Sequence, residues 1–137
     1  MNNDVYPKET IALNENEVST ELAAIYIPDI VVPEGGKPLL ERRMRCRILE
    51  CHPGKVIALH SHKNRPALLY VLQGSGEEHS NQFSDVRIWK EGDCFAEFND
   101  TEHWIKNRSD TTPLRVLTFD LIDDGPAPSP QECHSGC

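Results

Sequence analysis

The stretch of sequence that decides the fold is GKVIALHSHKNRPALLYVLQG, which runs from Gly54 to Gly74. Two apolar runs flank the turn-forming residues Asn64-Arg65-Pro66, a pattern typical of short β-strands joined by a tight connection. The first run ends in His60-Ser61-His62. Residues i and i+2 of a strand project from the same face about 7 Å apart, so both imidazoles could converge on one metal ion. Taken alone, a His-x-His pair is a weak indication of such a site.

This stretch resembles the first sequence motif of the cupin family, which is Gly, five residues, His-x-His, three or four residues, Glu, six residues and Gly. Gly54, His60, His62 and Gly74 stand at the expected positions. The glutamate position is occupied by Ala67. The spacing therefore agrees with the motif, while one of its usual metal ligands is missing.

A second stretch, GDCFAEFNDTEHWIKN, begins at Gly92 and resembles the second cupin motif, which is Gly, five residues, Pro-x-Gly, two residues, His, three residues and Asn. His103 and Asn107 stand at the expected offsets, whereas Phe98 and Asp100 replace the motif's Pro and Gly. Asp100 is acceptable there, because Asp enters left-handed conformations more readily than most residues with a Cβ. The spacing of the second motif is therefore kept as well.

The resemblance implies an all-β fold, the double-stranded β-helix jelly roll or cupin barrel. It also implies that His60, His62 and His103 hold one divalent transition metal. Imidazole ligands suit Fe(II), which we favour, and also Ni, Cu, Zn or Mn. The alternative is a metal-free cupin in which these histidines are remnants of a lost site.

Ala67 makes the charge of the predicted site unusual. Three neutral ligands would leave a divalent ion its full charge and an open coordination position, which favours an anionic substrate. Glu97 lies between aromatic residues and is a candidate to replace the missing ligand or to act as a catalytic base, but strand parity does not give its orientation. Arg65 is a candidate to bind a substrate carboxylate, and its alternative is an exposed loop arginine.

The reaction that the resemblance favours is oxidation of a small chelating or anionic substrate inside the barrel by a metal-dependent dioxygenase, an oxidoreductase. Two alternatives stay open. One is a non-catalytic cupin that binds a small ligand or acts as a sensor, and the other is a metal-assisted isomerase or lyase. A fold shared with known enzymes does not fix the reaction.

The chain of 137 residues is long enough for one hydrophobic core. Residues 1–37 are predicted to form an N-terminal arm and edge strand, residues 38–124 the cupin barrel, and residues 125–137 a proline-rich tail with two cysteines. Within the arm, residues 1–18 are predicted as loop, and residues 20–32 as a short helix or an edge strand. Strands are expected near residues 40–51, 55–61, 67–73, 86–90, 94–98, 102–107 and 114–122.

With a net charge of −8, the chain is not expected to bind nucleic acid, since such binding depends on clustered basic residues. No apolar run approaches the length of a membrane span, and no signal sequence is evident at the N-terminus. We therefore expect a cytoplasmic protein with no membrane partner, whose five cysteines are reduced and whose substrate is a small molecule. A homodimer formed through an edge strand is plausible.

The one basic cluster is RRMRCR, residues 42–47. On a strand, Arg43, Arg45 and Arg47 would share one face, while Met44 and Cys46 would lie on the other. We expect the arginine face to point toward solvent.

Overall fold

The computed structural model describes residues 10–124, which form an almost entirely β structure. The strands are β1 (Thr10–Asn14), β2 (Glu17–Thr20), β3 (Arg43–Cys51), β4 (Val56–Ser61), β5 (Ala67–Gln73), β6 (Gly76–Ser80), β7 (Arg87–Trp89), β8 (Cys94–Glu97), β9 (Glu102–Asn107) and β10 (Leu114–Ile122). Two four-stranded antiparallel sheets have the orders β3-β10-β5-β8 and β4-β9-β6-β7, and β1 pairs only with β2. This arrangement confirms the all-β jelly roll. Within the described range, no helix is long and apolar enough to cross a membrane.

The core lies between the two sheets and is built from alternate residues of the strands. On β5, Leu69 and Val71 face inward, and Val116 of β10 lies beside them. The opposite sheet contributes Trp89 and Ile105, both almost fully buried. Alternation of this kind follows from the two-residue period of a strand with one face on the core.

The glycines of both motifs have the turn role that the spacing predicts. Gly54, Gly74 and Gly92 have φ angles of 71°, 88° and 89°, in the left-handed region that glycine enters without steric cost. The second motif differs in one detail. Its left-handed residue is Asn99, with φ of 56°, and not Asp100 as the sequence suggested.

The N-terminal region differs from the sequence expectation. Residues 10–20 form the β1–β2 hairpin where a loop was predicted, and the polar residues of that region supply its turn. Residues 21–32, beyond the end of β2, contain neither an α-helix nor a strand, only a 3-10 turn at Ile27–Asp29. Asn99 anchors this segment, because its Oδ1 accepts from Val31 N at 2.8 Å and its Nδ2 donates to the Asp29 carbonyl at 2.9 Å. The division into arm, barrel and tail stays a prediction, and the tail lies outside the described residues.

The seven predicted strands correspond to β3, β4, β5, β7, β8, β9 and β10, but β6 was missed. Its sequence, GEEHS, has no apolar alternation. The two buried members of β6 are Gly76 and Glu78, so the inward face carries a glycine and a charge in place of apolar side chains. A Cβ at Gly76 would lie 2.8 Å from a methyl group of Ile105, which explains why a glycine is needed there.

Strand β3 is inverted relative to the sequence expectation. Arg43, Arg45 and Arg47 are partly buried on the inner face, whereas Met44 is 79% exposed and Ile48 is 52% exposed. The predicted solvated arginine face is therefore wrong. The reason lies on β10, a strand whose inner face carries a buried carboxylate opposite β3. The predicted homodimer stays a prediction.

That carboxylate is Asp120, which is 2% exposed and pairs in register with Arg45. Arg45 donates to it through two nitrogens, at 3.1 and 2.8 Å, and Arg65 donates to it at 3.0 Å. Burial raises the pKa of Asp120, but the two guanidinium groups lower it by a larger amount, so the pKa lies below its ordinary value. Asp120 thus holds two arginines inside the barrel.

We expect Asp120→Asn to lower the free energy of unfolding at pH 7 by about 1–3 kcal/mol, because two partly buried guanidinium groups lose their carboxylate. Since the folded-state pKa is lowered, the stabilisation is present above the ordinary value of 3.8 and is lost as the pH falls below it. The difference between variant and parent should therefore shrink under acid. Urea unfolding at several pH values measures this, and the exposed Asp85→Asn is the control. An Asp120→Asn effect as small as the control's would contradict this role.

Candidate metal centre

The sheet with the order β4-β9-β6-β7 brings the three predicted histidines together. His60 on β4 and His103 on β9 are directly paired across the strands. His62 follows the end of β4, where its backbone N–H donates to the Thr101 carbonyl at 2.8 Å and keeps the chain beside β9. His62 and His103 are buried, and His60 is half-buried.

Glu97 joins this cluster from the opposite sheet. It lies on β8, is 2% exposed, and is paired in register with Ala67 of β5. Ala67, at the motif's glutamate position, is therefore the cross-strand neighbour of Glu97, which supplies the carboxylate. The small alanine side chain leaves space at the centre. The expectation of three neutral ligands and a full double charge needs correction, because a buried carboxylate is present.

The ligand atoms of the four side chains lie within 4.8 Å of one another. His103 Nε2 is 2.9 Å from His60 Nε2 and 3.1 Å from His62 Nε2. Glu97 Oε2 is 2.7 Å from His103 Nε2 and 3.0 Å from His62 Nε2. Ligands bonded to one transition-metal ion at about 2.0–2.2 Å have neighbour separations of about 3 Å, so this spacing fits a single ion.

The other ring nitrogen of each histidine is engaged by an acceptor. Nδ1 of His60 donates to the Ala58 carbonyl at 2.7 Å, and Nδ1 of His62 donates to the Arg65 carbonyl at 3.0 Å. A carbonyl oxygen can only accept, so these rings carry their proton on Nδ1 when they are neutral. Their Nε2 lone pairs are then directed into the cluster, as metal ligation requires.

His103 is oriented by Glu78, a residue that the sequence analysis did not identify. The Nδ1 of His103 donates to Glu78 Oε2 at 2.6 Å. The other carboxylate oxygen accepts from Arg87 Nε at 2.7 Å and from Trp89 Nε1 at 3.0 Å. Glu78 was missed because it lies on β6, whose lack of apolar alternation hid the strand.

The cluster needs a cation. Neither oxygen of Glu97 receives a hydrogen bond of good geometry from the described residues, although both are buried. Burial raises the pKa of Glu97, but its contacts with His103 and His62 lower it well below the usual range. Burial lowers the pKa of His103, yet Glu78 and Glu97 together raise it to about 9. The surroundings thus favour positive charge at this point, which either a proton or a metal ion can supply.

Burial also lowers the pKa of His60, and there it is the largest effect, so the pKa lies below its ordinary value. The nearby His103 and His62 lower it too, while the Ala58 carbonyl and Glu97 raise it. The lowered pKa of His60 favours the neutral imidazole, which is the state that a ligand must have. Three imidazoles and one carboxylate form a donor set that fits Fe, Ni, Cu, Zn or Mn, so the residues present could bind a divalent ion whose identity they do not fix.

The cavity at the cluster is small. Its volume is ≈ 30 Å³, so only a very small ligand fits there. Apolar walls on both sides come from Leu49, Ile57, Leu69, Trp89 and Ile105. These walls keep the cluster largely away from bulk water, so charges inside interact more strongly than at the surface.

Two arginines also line this cavity. Arg65, the predicted substrate-binding residue, does lie at the site, but one of its nitrogens is already bonded to Asp120. The second is Arg47, which the sequence analysis placed on a solvated face. Arg47 occupies no position of either motif, so its place at the cavity follows only from the inward face of β3 in the structure.

Comparison with solved structures found relatives of this fold. A predicted oxalate decarboxylase from Thermotoga maritima is 26% identical with a TM-score of 0.50, over 58% of this chain and 67% of that one. KdgF from Halomonas sp. is 22% identical with a TM-score of 0.50, over 59% of this chain and 72% of that one. The cupin domain of Cnp3 from Schizosaccharomyces pombe is 15% identical with a TM-score of 0.52, over 85% and 87%.

This chain covers 60% and 49% of the lengths of two other matched structures. No curated protein sequence matches this chain. A family model does match: the model described as Cupin domain aligns with residues 47–120, more than half of the chain. These residues include both glycine-bounded motifs and all four side chains of the cluster, and the chain belongs to the cupin family.

Proposed function

We propose that this protein is a metal-dependent enzyme whose single divalent transition metal is bound by His60, His62, His103 and Glu97. The observation that supports this is the arrangement of the ring protons. Each Nδ1 has an outward acceptor, so three Nε2 atoms and a buried carboxylate face one another with their lone pairs. One cation at their centre would remove the repulsion among all four groups.

We assign Glu97 to metal ligation in place of the catalytic base considered from the sequence. Its Oε2 lies 2.7 Å from His103 Nε2, in the midst of the histidine nitrogens. As a ligand it would offset one of the two charges of the ion. The centre would keep one net positive charge, which still attracts an anionic substrate.

The reaction that we propose is dioxygenation of a small chelating substrate, with Fe(II) as the favoured metal. A metal ion bound there would act as a Lewis acid and, as iron, would supply reactivity toward molecular oxygen. The chain's own residues contribute orientation and exclusion of water. Glu78 holds the His103 ring in place, and the apolar walls of the cavity keep the reacting groups dry.

The second candidate is a redox-neutral lyase. The observation that favours it is the likeness to the Thermotoga maritima protein, which is described as a predicted oxalate decarboxylase. A largely dry site that a bound metal ion would make positively charged suits loss of CO₂ from a carboxylate as well as it suits oxidation. A non-catalytic ligand-binding cupin is the third possibility, and turnover measured with and without oxygen separates all three.

We expect the purified protein to bind about one equivalent of divalent metal after anaerobic incubation with Fe(II) or Mn(II). His103→Ala and Glu97→Ala should each weaken metal affinity by more than about 100-fold, since each removes a ligand atom from the centre. Elemental analysis and titration monitored by calorimetry measure this. His52→Ala, a change at an exposed histidine remote from the cluster, should keep full occupancy. Low occupancy that is the same in all four proteins would refute the proposal.

We expect Glu78→Gln to weaken metal affinity by about 10–100-fold, because the amide has one accepting oxygen and no charge, and cannot accept both from His103 and from Arg87 and Trp89. The neighbouring Glu77→Gln is the matched control, since its side chain contacts His79 and not the cluster. Titration of both variants with Mn(II), together with circular dichroism to confirm folding, gives the comparison. Equal affinities in the two variants would show that Glu78 does not position the ligand.

We expect the Fe(II)-loaded protein to consume oxygen in the presence of small hydroxy or keto acids, and His60→Ala to abolish this uptake. An oxygen electrode, with product analysis in air and under argon, measures it. Product formed equally well under argon would replace oxygenation by the lyase or isomerase reaction. Thermal stabilisation by an acid without turnover in either atmosphere would indicate a binding protein.

A further inference from the structure

Arg47 lines the same small cavity as the candidate metal centre. It is on β3, paired in register with Thr118 of β10. Both residues line this cavity together with His60, His103 and Glu97. An arginine at this position can reach a molecule bound at the centre, and the motif comparison did not assign it a role.

The Arg47 guanidinium lacks a protein acceptor where one is needed. Its Nε is buried and has no hydrogen-bond partner within residues 10–124. Its two neighbours are different, since Arg45 and Arg65 both donate to Asp120. A buried donor without an acceptor is destabilising, so we expect this nitrogen to find its acceptor on a bound ligand.

The charges around Arg47 point to the sign of that acceptor. Arg45 and Arg65 share the carboxylate of Asp120, and no ion pair to Arg47 is found within residues 10–124. Burial lowers the pKa of Arg47, and Arg45 and Arg65 lower it further, so the surroundings oppose more positive charge there. An anion would relieve this repulsion and supply the missing acceptor.

We propose that Arg47 binds the carboxylate of a small organic acid whose other end is held at the metal centre. This rests on the proposed function, since it names the substrate class of the same site. A planar guanidinium forms two parallel hydrogen bonds with a carboxylate. The ≈ 30 Å³ cavity restricts the acid to a few non-hydrogen atoms. Arg65, already bonded to Asp120, has a supporting role.

The test measures glycolate binding to protein whose metal content has first been determined, by calorimetry with Mn(II) as the metal. Ethylene glycol, which has the same skeleton without the carboxylate, and inorganic phosphate are the comparison ligands. We expect glycolate to bind and the other two to bind at least tenfold more weakly. Arg47→Gln should weaken glycolate binding by about 10–100-fold and leave metal content unchanged.

Arg43→Gln is the matched control, because Arg43 lies on the same face of the same strand and pairs with Asp124, away from the cavity. It should bind glycolate like the parent protein. Arg47→Lys keeps the charge and loses the planar fork, so it should bind glycolate at least about fivefold more weakly than the parent. This variant decides the outcome if Arg47→Gln does not fold.

Several results would overturn the proposal. They are parent protein that binds no glycolate, phosphate that binds as tightly as glycolate, or Arg47 variants that bind glycolate within twofold of the parent. Failure of the metal proposal gives a different result. If the parent protein holds no metal but binds glycolate through Arg47, then Arg47 is an anion-binding residue and the metal centre is refuted.

Discussion

The lone pairs of three histidine nitrogens and one carboxylate meet at a single point inside this protein, and the rest of the site follows from the need to place a cation there. The ring protons cannot relieve the repulsion without cost, because His60, His62 and His103 each commit Nδ1 to an acceptor outside the cluster. A proton on His103, whose pKa is raised to about 9, satisfies the cluster in one way. A divalent metal satisfies all four groups together.

Each sheet supplies part of this centre, and the pairing of strands sets the distances. The register of β4 with β9 places His60 beside His103, and the register of β5 with β8 places Glu97 beside Ala67. A second charged region lies on β3 and β10, where Asp120 holds Arg45 and Arg65, and Arg65 and Arg47 also line the cavity. The interior thus joins an electron-rich ligand cluster to an arginine-rich wall. A small bidentate acid would contact both.

Much of the fold and of the ligand set could be predicted from sequence, because glycine spacing and apolar alternation are local signals. The three histidines and the strands around them follow from two motifs. Glu97 could be named but not oriented, since strand parity does not say which sheet face meets the core. Glu78 and Arg47 were beyond prediction. Glu78 is buried on β6 because Arg87 pairs with its carboxylate. Arg47 lies on the inner face of β3, a position that becomes visible only once β3 is paired with β10.

The most direct test of the central claim is a crystal structure of the metal-incubated protein, with diffraction data collected on both sides of the metal's absorption edge. The account predicts one anomalous peak among the Nε2 atoms of His60, His62 and His103 and a carboxylate oxygen of Glu97, at about 2.0–2.2 Å from each. A map without a peak there, with the four side chains in the present arrangement, would contradict it. A protonated ion-pair cluster would then be the correct description of the centre.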